Sequence, residues 1–270
     1  MNIIQEMKRE MRQPDDLCLL CCDSKASQKE SHIIPKFLGK GLFHDTKPHH
    51  SILWHKGGKR QKVQDIIKED YIFCAKCEKS LSVLETYCAL RLERFDNVRY
   101  FKDFVLYKEG DFEFVECKDI NIKVFNLFIY SVVWRVSISN NIGFSKFKLP
   151  DKEEEELRLI LKDFLKPTQT DLFSEIERLN ILPNHRHVLI RPKKKLRPPT
   201  SMLSAASPNE WLNQLHLVDY LMFYITQQDK MIENLRRIDN NRLSGLVRIG
   251  LSEQKIWKEF NFAMIKEAIH

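Results

Sequence analysis

Two pairs of cysteines set the first chemical constraint on this chain. Cys18 and Cys21 form one C-x-x-C with Cys22 directly behind it, and Cys74 and Cys77 form a second. Zinc takes four soft ligands in a tetrahedron. Two cysteines separated by two residues place both sulfurs on one side of the ion, and a second such pair closes the shell. The spacing therefore predicts one structural Zn²⁺ shared by Cys18, Cys21, Cys74 and Cys77, with Cys22 as the one substitute. Two unrelated cysteine pairs, or buried thiols, are the competing reading. The stretch 22–73 between the pairs is longer than a compact zinc ribbon allows, so it must house something. Cys88 and Cys117 have no partner in spacing and are expected as core thiols.

Inside that stretch lies Ser31-His32-Ile33-Ile34-Pro35, with Gly39 and Gly41 downstream, and the second knuckle is followed by a helical pattern over 80–94. Together with the knuckles, these elements resemble the HNH, or ββα-metal, nuclease superfamily over residues 18–92. Its zinc-knuckle members run C-x-x-C, a polar or acidic residue followed by His and, after two apolar residues, Pro, then an Asn-Leu segment, then C-x-x-C-His. The resemblance implies an N-terminal ββα-metal finger with His32 on a strand of a small hairpin as general base. A phosphodiester is already anionic, so attacking water must lose a proton as it approaches while a divalent cation neutralises charge on the leaving oxygen. The chain departs from the family at three positions. Ser31 replaces the residue before the His, Glu69 with Asp70 beside it replaces the Asn, and Glu78 replaces the His after the knuckle. The catalytic residues implied are His32 and Glu78, with Glu69, Asp70 and Glu85 as further oxygen donors suited to Mg²⁺ or Mn²⁺.

Each of these positions also has a purely structural reading. His32 can hydrogen-bond a backbone group beside the zinc. Glu78 and Glu85, about two helical turns apart, can be a solvated pair on one face. Glu69 and Asp70 can cap a turn before a strand at Tyr71-Ile72-Phe73.

Positions 46–64 hold Lys47, Lys56, Lys59, Arg60 and Lys62 with His49, His50, Trp54 and His55, and no acid. Gly57-Gly58 marks a hairpin turn. Lys56, Lys59, Arg60 and Lys62 are the expected contacts to DNA phosphates, and Trp54 could stack on a base. A solvated loop is the alternative. His49-His50 lacks a second pair that would make it a metal site.

The 270 residues are 43% hydrophobic and 30% charged, which excludes disorder as the main state. With 44 Lys+Arg against 37 Asp+Glu the net charge is +7, compatible with a polyanionic partner but not diagnostic of one. No apolar run reaches the length of a membrane span, and residues 1–16 lack a signal peptide's apolar core, so no membrane partner and a cytoplasmic location are expected. Cysteine usage fits a reducing compartment.

The chain reads as α+β in two parts: an HNH-like zinc-binding domain over 1–97 and a mixed helical and β domain over 98–270. In the second part the pattern predicts a hairpin over 98–116 turning at Glu109-Gly110-Asp111, a wholly buried helix over 122–138, and helices from Asp151 and over 170–182. Strands at 187–190 and 215–225 follow, then a closing amphipathic helix over 252–269. Arg135, the conspicuous charge of the buried helix, is expected to pair with a carboxylate rather than reach an anionic ligand. The basic run 191–197 is a second candidate phosphate contact, with a solvated loop as its alternative.

The second part resembles bacterial proteins that join such a finger to a buried helix carrying Ser131, Trp134 and Arg135, some in phage-defence gene neighbourhoods. That resemblance implies a role in antiviral defence with a protein partner from the same operon. Two functions stay open: a metal-dependent DNA endonuclease, and a non-catalytic zinc-finger module that binds nucleic acid or a protein partner.

Overall fold

The computed structural model describes residues 11–39, 42–43, 51–54, 60–96, 102–110, 112–193 and 202–259. Near the N-terminus β1 (Ser31–His32) pairs antiparallel with β4 (Lys68–Glu69), Ser31 opposite Glu69 and His32 opposite Lys68. Between them lie a short helix α1 (Lys36–Gly39) and a second hairpin of β2 (Ser51–Trp54) and β3 (Arg60–Val63), with Trp54 opposite Arg60. The expected hairpin is therefore present, although Gly57-Gly58 lie outside the described residues. Helix α2 (Ala75–Leu92) begins inside the second knuckle, with Cys74 as its N-cap, earlier than the pattern over 80–94 suggested.

Residues 71–73 are not the strand their composition predicts. Tyr71 has φ 56°, a left-handed conformation that interrupts extended pairing. The freed carbonyls of Ile72 and Phe73 instead accept hydrogen bonds from the backbone N–H groups of Leu19 (2.9 Å) and Gln28 (3.1 Å). These bonds lace the two knuckles together.

The hairpin β5 (Phe104–Glu109) and β6 (Phe112–Cys117) turns at Gly110, whose φ of 62° glycine adopts without a Cβ penalty. Helix α3 (Ile122–Ile138) is capped by the Asn121 side chain, which accepts from the N–H groups of Lys123 and Val124, and it buries every residue except Lys123. Helices α4 (Asp151–Phe164) and α5 (Gln169–Ile176) follow, α5 ending before the expected 182. The rest is mostly sheet: β7 (Arg186–Pro192), β8 (Leu203–Ala206), β9 (Leu212–Leu217), β10 (Tyr220–Ile225), a short α6 (Glu233–Arg236) and β11 (Val247–Ser252). Residues 254–259 are helical, and the remainder of the expected closing helix lies outside the described residues.

The strand expected over 215–225 is two strands, β9 and β10, joined at Val218-Asp219. Val218 takes φ 64°, which a β-branched residue adopts rarely, and no Gly or Asn advertises the turn. The large sheet runs β5-β6-β11-β7-β10-β9-β8, with β11 and β7 its parallel pair. Arg191, the first residue of the basic run, lies in β7, where its buried guanidinium is 3.7 Å from the centre of the Phe95 ring. It is therefore a packing residue, because a cation under an aromatic face has left the surface that a phosphate would approach. Residues 194–197 lie outside the described residues.

One apolar cluster runs from Leu19, Leu20, Phe73 and Leu84 through Phe125 and Trp134 to Leu189, Met222 and Ile249. Phe73, beside the second knuckle, stacks on Trp134 of α3 with ring centres 6.0 Å apart. The guanidinium of Arg158 on α4 donates to the carbonyl of Leu20 in the first knuckle (2.9 Å). Knuckles, central helix and sheet thus share one interior. Cys88 and Cys117 lie in it as expected, and burial pushes both thiols well above their ordinary range.

Between α3 and the sheet, His187 Nε2 donates to Asn126 Oδ1 (2.6 Å), which leaves Nδ1 buried without a partner. A second proton there would find no acceptor, and burial holds the His187 pKa down to about 3. Burial also lowers His185, against the opposing pull of Glu156. In the unfolded chain a histidine titrates near ~6.5. The unfolded state therefore binds more protons below that pH, and the stability contributed by neutral His187 is complete above it and lost as pH falls toward 3. Lowering pH from 7 to 4 is expected to cost about 3 kcal/mol through His187 alone. Denaturant melts should show this loss, and His187→Gln should flatten it; an equal pH slope in the variant would assign the acid sensitivity elsewhere.

Candidate metal centre and the adjoining His32 cluster

The sulfurs of Cys18, Cys21, Cys74 and Cys77 all lie within 4.8 Å of one another, and Cys21 and Cys74 are 3.9 Å apart. Zn–S bonds of about 2.3 Å in a tetrahedron put sulfurs roughly 3.8 Å apart, so the cluster has the size and softness of a zinc shell. These are the four residues that the sequence singles out, and they could hold a structural zinc ion. Cys22 turns away from the cluster: its φ is 58°, and its thiol faces the Leu19 carbonyl at 3.8 Å. The hydrogen bond between Cys18 and Cys77 draws the first ionisation of that pair below the ordinary thiol range. Cys77 lies in the first turn of α2, and its hydrogen bond with Cys18, then burial, push its own thiol up.

The knuckles then fix what stands beside them. The β1–β4 pairing and the start of α2 bring Ser31 Oγ to donate to Glu78 Oε2 at 2.9 Å. Ser31 is buried, and Glu78 is half-buried with its carboxyl pushed up by desolvation, a shift that Ser31 and Arg135 oppose. His32 is half-buried, with Nε2 inside the protein and unpartnered. Burial and then the Lys68 ammonium hold its pKa below the usual value, so the imidazole is neutral at neutral pH.

The other carboxylates singled out from sequence do not join this group. Glu69 accepts from the Ser139 hydroxyl and from the Asn141 N–H (3.2 Å). Asp70 accepts from the N–H of Glu30 (2.8 Å), which is the turn-capping role. Glu85 pairs with Arg135 at 2.5 Å, the partner that a buried Arg135 requires. Among the described residues, the four cysteines are the one group of three or more potential ligands whose donor atoms converge.

Of the expected phosphate contacts, Lys62 is exposed on β3, and Arg60 is placed by its backbone in the same strand. Lys56 and Lys59 lie outside the described residues, as do His49, His50 and His55. Sequence reasoning named Arg135 but not its partners. Its Nη1 donates to the His32 carbonyl at 3.0 Å as well as to Glu85, and nothing in the local spacing announces either contact.

Among the described residues, no helix is long and apolar enough to cross a membrane. No known family matches this chain, and neither a curated protein nor a solved structure does.

Proposed function

We propose that the protein is a divalent-cation-dependent endonuclease that hydrolyses DNA phosphodiester bonds at the His32 cluster. The observation that supports this best is the 2.9 Å bond between Ser31 and Glu78, formed beside His32 where a strand pair and the following helix meet at the cysteine cluster. These are two of the positions at which the chain departs from the family that the sequence resembles, Ser31 before the His and Glu78 after the second knuckle. Ser31 and Glu78 offer two oxygen donors, which suits Mg²⁺ or Mn²⁺, ions that keep several waters and take one or two carboxylates. The cation would neutralise charge growing on the leaving oxygen. His32, kept neutral by its surroundings, takes the proton from the attacking water. Its Nε2 faces the interior, so Nδ1 is the nitrogen assigned to that water.

A second reading has its own support. Because Glu69, Asp70 and Glu85 are each engaged by other groups within the chain, Glu78 is the one carboxylate of those singled out from sequence that stands beside Ser31 and His32. That economy fits a zinc module that binds nucleic acid or a protein partner without cutting. The proposed defence role and operon partner rest on the resemblance of the helix carrying Ser131, Trp134 and Arg135, and they apply to either reading.

Rescue by metal separates the two. Glu78→Gln is expected to lose cleavage of plasmid DNA and to regain part of it in excess Mg²⁺ or Mn²⁺, because only affinity for the ion has fallen. His32→Ala should not recover. Equal behaviour of the two variants would contradict the assigned roles. Separately, replacing Lys56, Lys59, Arg60 and Lys62 by Ala should weaken DNA association and reduce the slope of log K against log salt by up to about four. An unchanged slope would make that segment a solvated loop.

A further inference from the structure

We infer that Arg135 is a positioning residue for His32, a role that rests on the proposed hydrolytic site: a guanidinium from the central helix α3 holds the main chain of His32 and the carboxylate of Glu85 at once.

The sequence makes this residue expensive. Helix α3 is apolar on nearly every side, and Arg135 is 2% exposed. An ion pair serving the fold alone would be expected to use the planar fork fully, two N–H groups against two carboxylate oxygens. Arg135 is arranged otherwise. Its Nε donates to the Ser131 carbonyl one turn back (3.1 Å), its Nη1 is shared between Glu85 Oε1 (2.5 Å) and the His32 carbonyl (3.0 Å), and its Nη2 is buried with no partner. A donor is left unmade while another is spent on the backbone of the proposed base.

The geometry has one consequence. Among the described residues, β1 is two residues long and pairs with β4, itself two residues long, and one further main-chain bond, from the Ile33 N–H to the Ile67 carbonyl (3.1 Å), extends that pairing. Arg135 ties that strand to the most buried helix, and Glu85, on α2 behind the second knuckle, keeps the guanidinium in place.

The test uses the zinc-loaded full chain and two variants. Arg135→Lys keeps the charge, but its ammonium ends about one bond short of the Nη1 position and it has no Nε–H for the Ser131 carbonyl; Arg135→Met keeps much of the volume and removes the charge. The measurements are kcat and KM on plasmid DNA with Mg²⁺, and hydrogen exchange at the backbone amides of His32 and Ile33. Arg135→Lys is expected to keep its zinc and a KM within about twofold while kcat falls about tenfold or more, as misplacement of a base predicts. Arg135→Met should lower kcat further and speed exchange at both amides, with the lysine variant recovering the difference in part. If the methionine variant does not fold, the lysine variant decides alone. Folded, zinc-loaded Arg135→Lys with wild-type kcat and wild-type exchange would overturn the inference. If the wild type cleaves nothing, faster exchange at these amides in Arg135→Lys upholds the positioning role while the hydrolytic reading falls. Unchanged exchange removes both.

Discussion

Cys74→Ser is expected to abolish zinc binding and unfold the protein well beyond its N-terminal third. Structural zinc contributes on the order of 10 kcal/mol or more to small domains, and a whole domain is stable by only about 5–15 kcal/mol. Cys74 supplies one of the four clustered sulfurs directly before α2, the helix that presents Glu78 and Glu85. The damage should spread because the knuckle is not insulated from the rest of the fold. Phe73, next to Cys74, stacks on Trp134, and Leu19 and Leu20 of the other knuckle belong to the cluster that reaches Met222 and Ile249. Circular dichroism and thermal melts of wild type and variant, with metal analysis of each, measure the effect. One zinc per chain is expected in the wild type, and Cys22→Ser should retain it, because the Cys22 thiol is turned toward a backbone carbonyl. Undenatured wild-type protein free of zinc would contradict the assignment.

The second large effect belongs to His32. Replacing it with Ala should leave zinc content and DNA binding nearly intact and lower cation-dependent cleavage about a hundredfold or more, the usual worth of a positioned base. Stability should change little, since the ring is only half-buried and makes no hydrogen bond among the described residues, its Nε2 lacking a partner. The wild-type rate should rise with pH through the His32 titration and level off below neutrality, because burial and Lys68 hold the imidazole's pKa under its ordinary value. Loss of zinc or of the folded state in His32→Ala would make the residue structural.

The parts of this arrangement that sequence reveals are those encoded at short range. Cysteine spacing names the four clustered residues, the run of apolar residues after Asn121 marks the buried helix, and Gly110 marks the β5–β6 turn. What sequence hides depends on distant contacts or on unadvertised backbone conformations. Val218 divides an apolar stretch into two strands, and Tyr71 ends another, each by a left-handed φ in a residue type that gives no warning. The β1–β4 pair is too short for period-two alternation to register. At the site, Ser31 and Glu78 are singled out as departures from a family pattern, but their bond to each other spans 47 positions, and the ion pair of Arg135 with Glu85 spans 50. Glu69 and Asp70 have the right chemistry for a cation, yet Ser139, Asn141 and the Glu30 N–H, all beyond reach of local pattern, claim them first.

The most direct test of the hydrolytic reading is a single-turnover time course of zinc-loaded wild-type protein on plasmid and single-stranded DNA, run with and without Mg²⁺ or Mn²⁺. Cleavage is expected to require the added cation and to be absent in His32→Ala. If the wild type cuts neither substrate under either ion, even with the products of its neighbouring genes supplied, the endonuclease assignment is wrong and the zinc-stapled unit is a binding module.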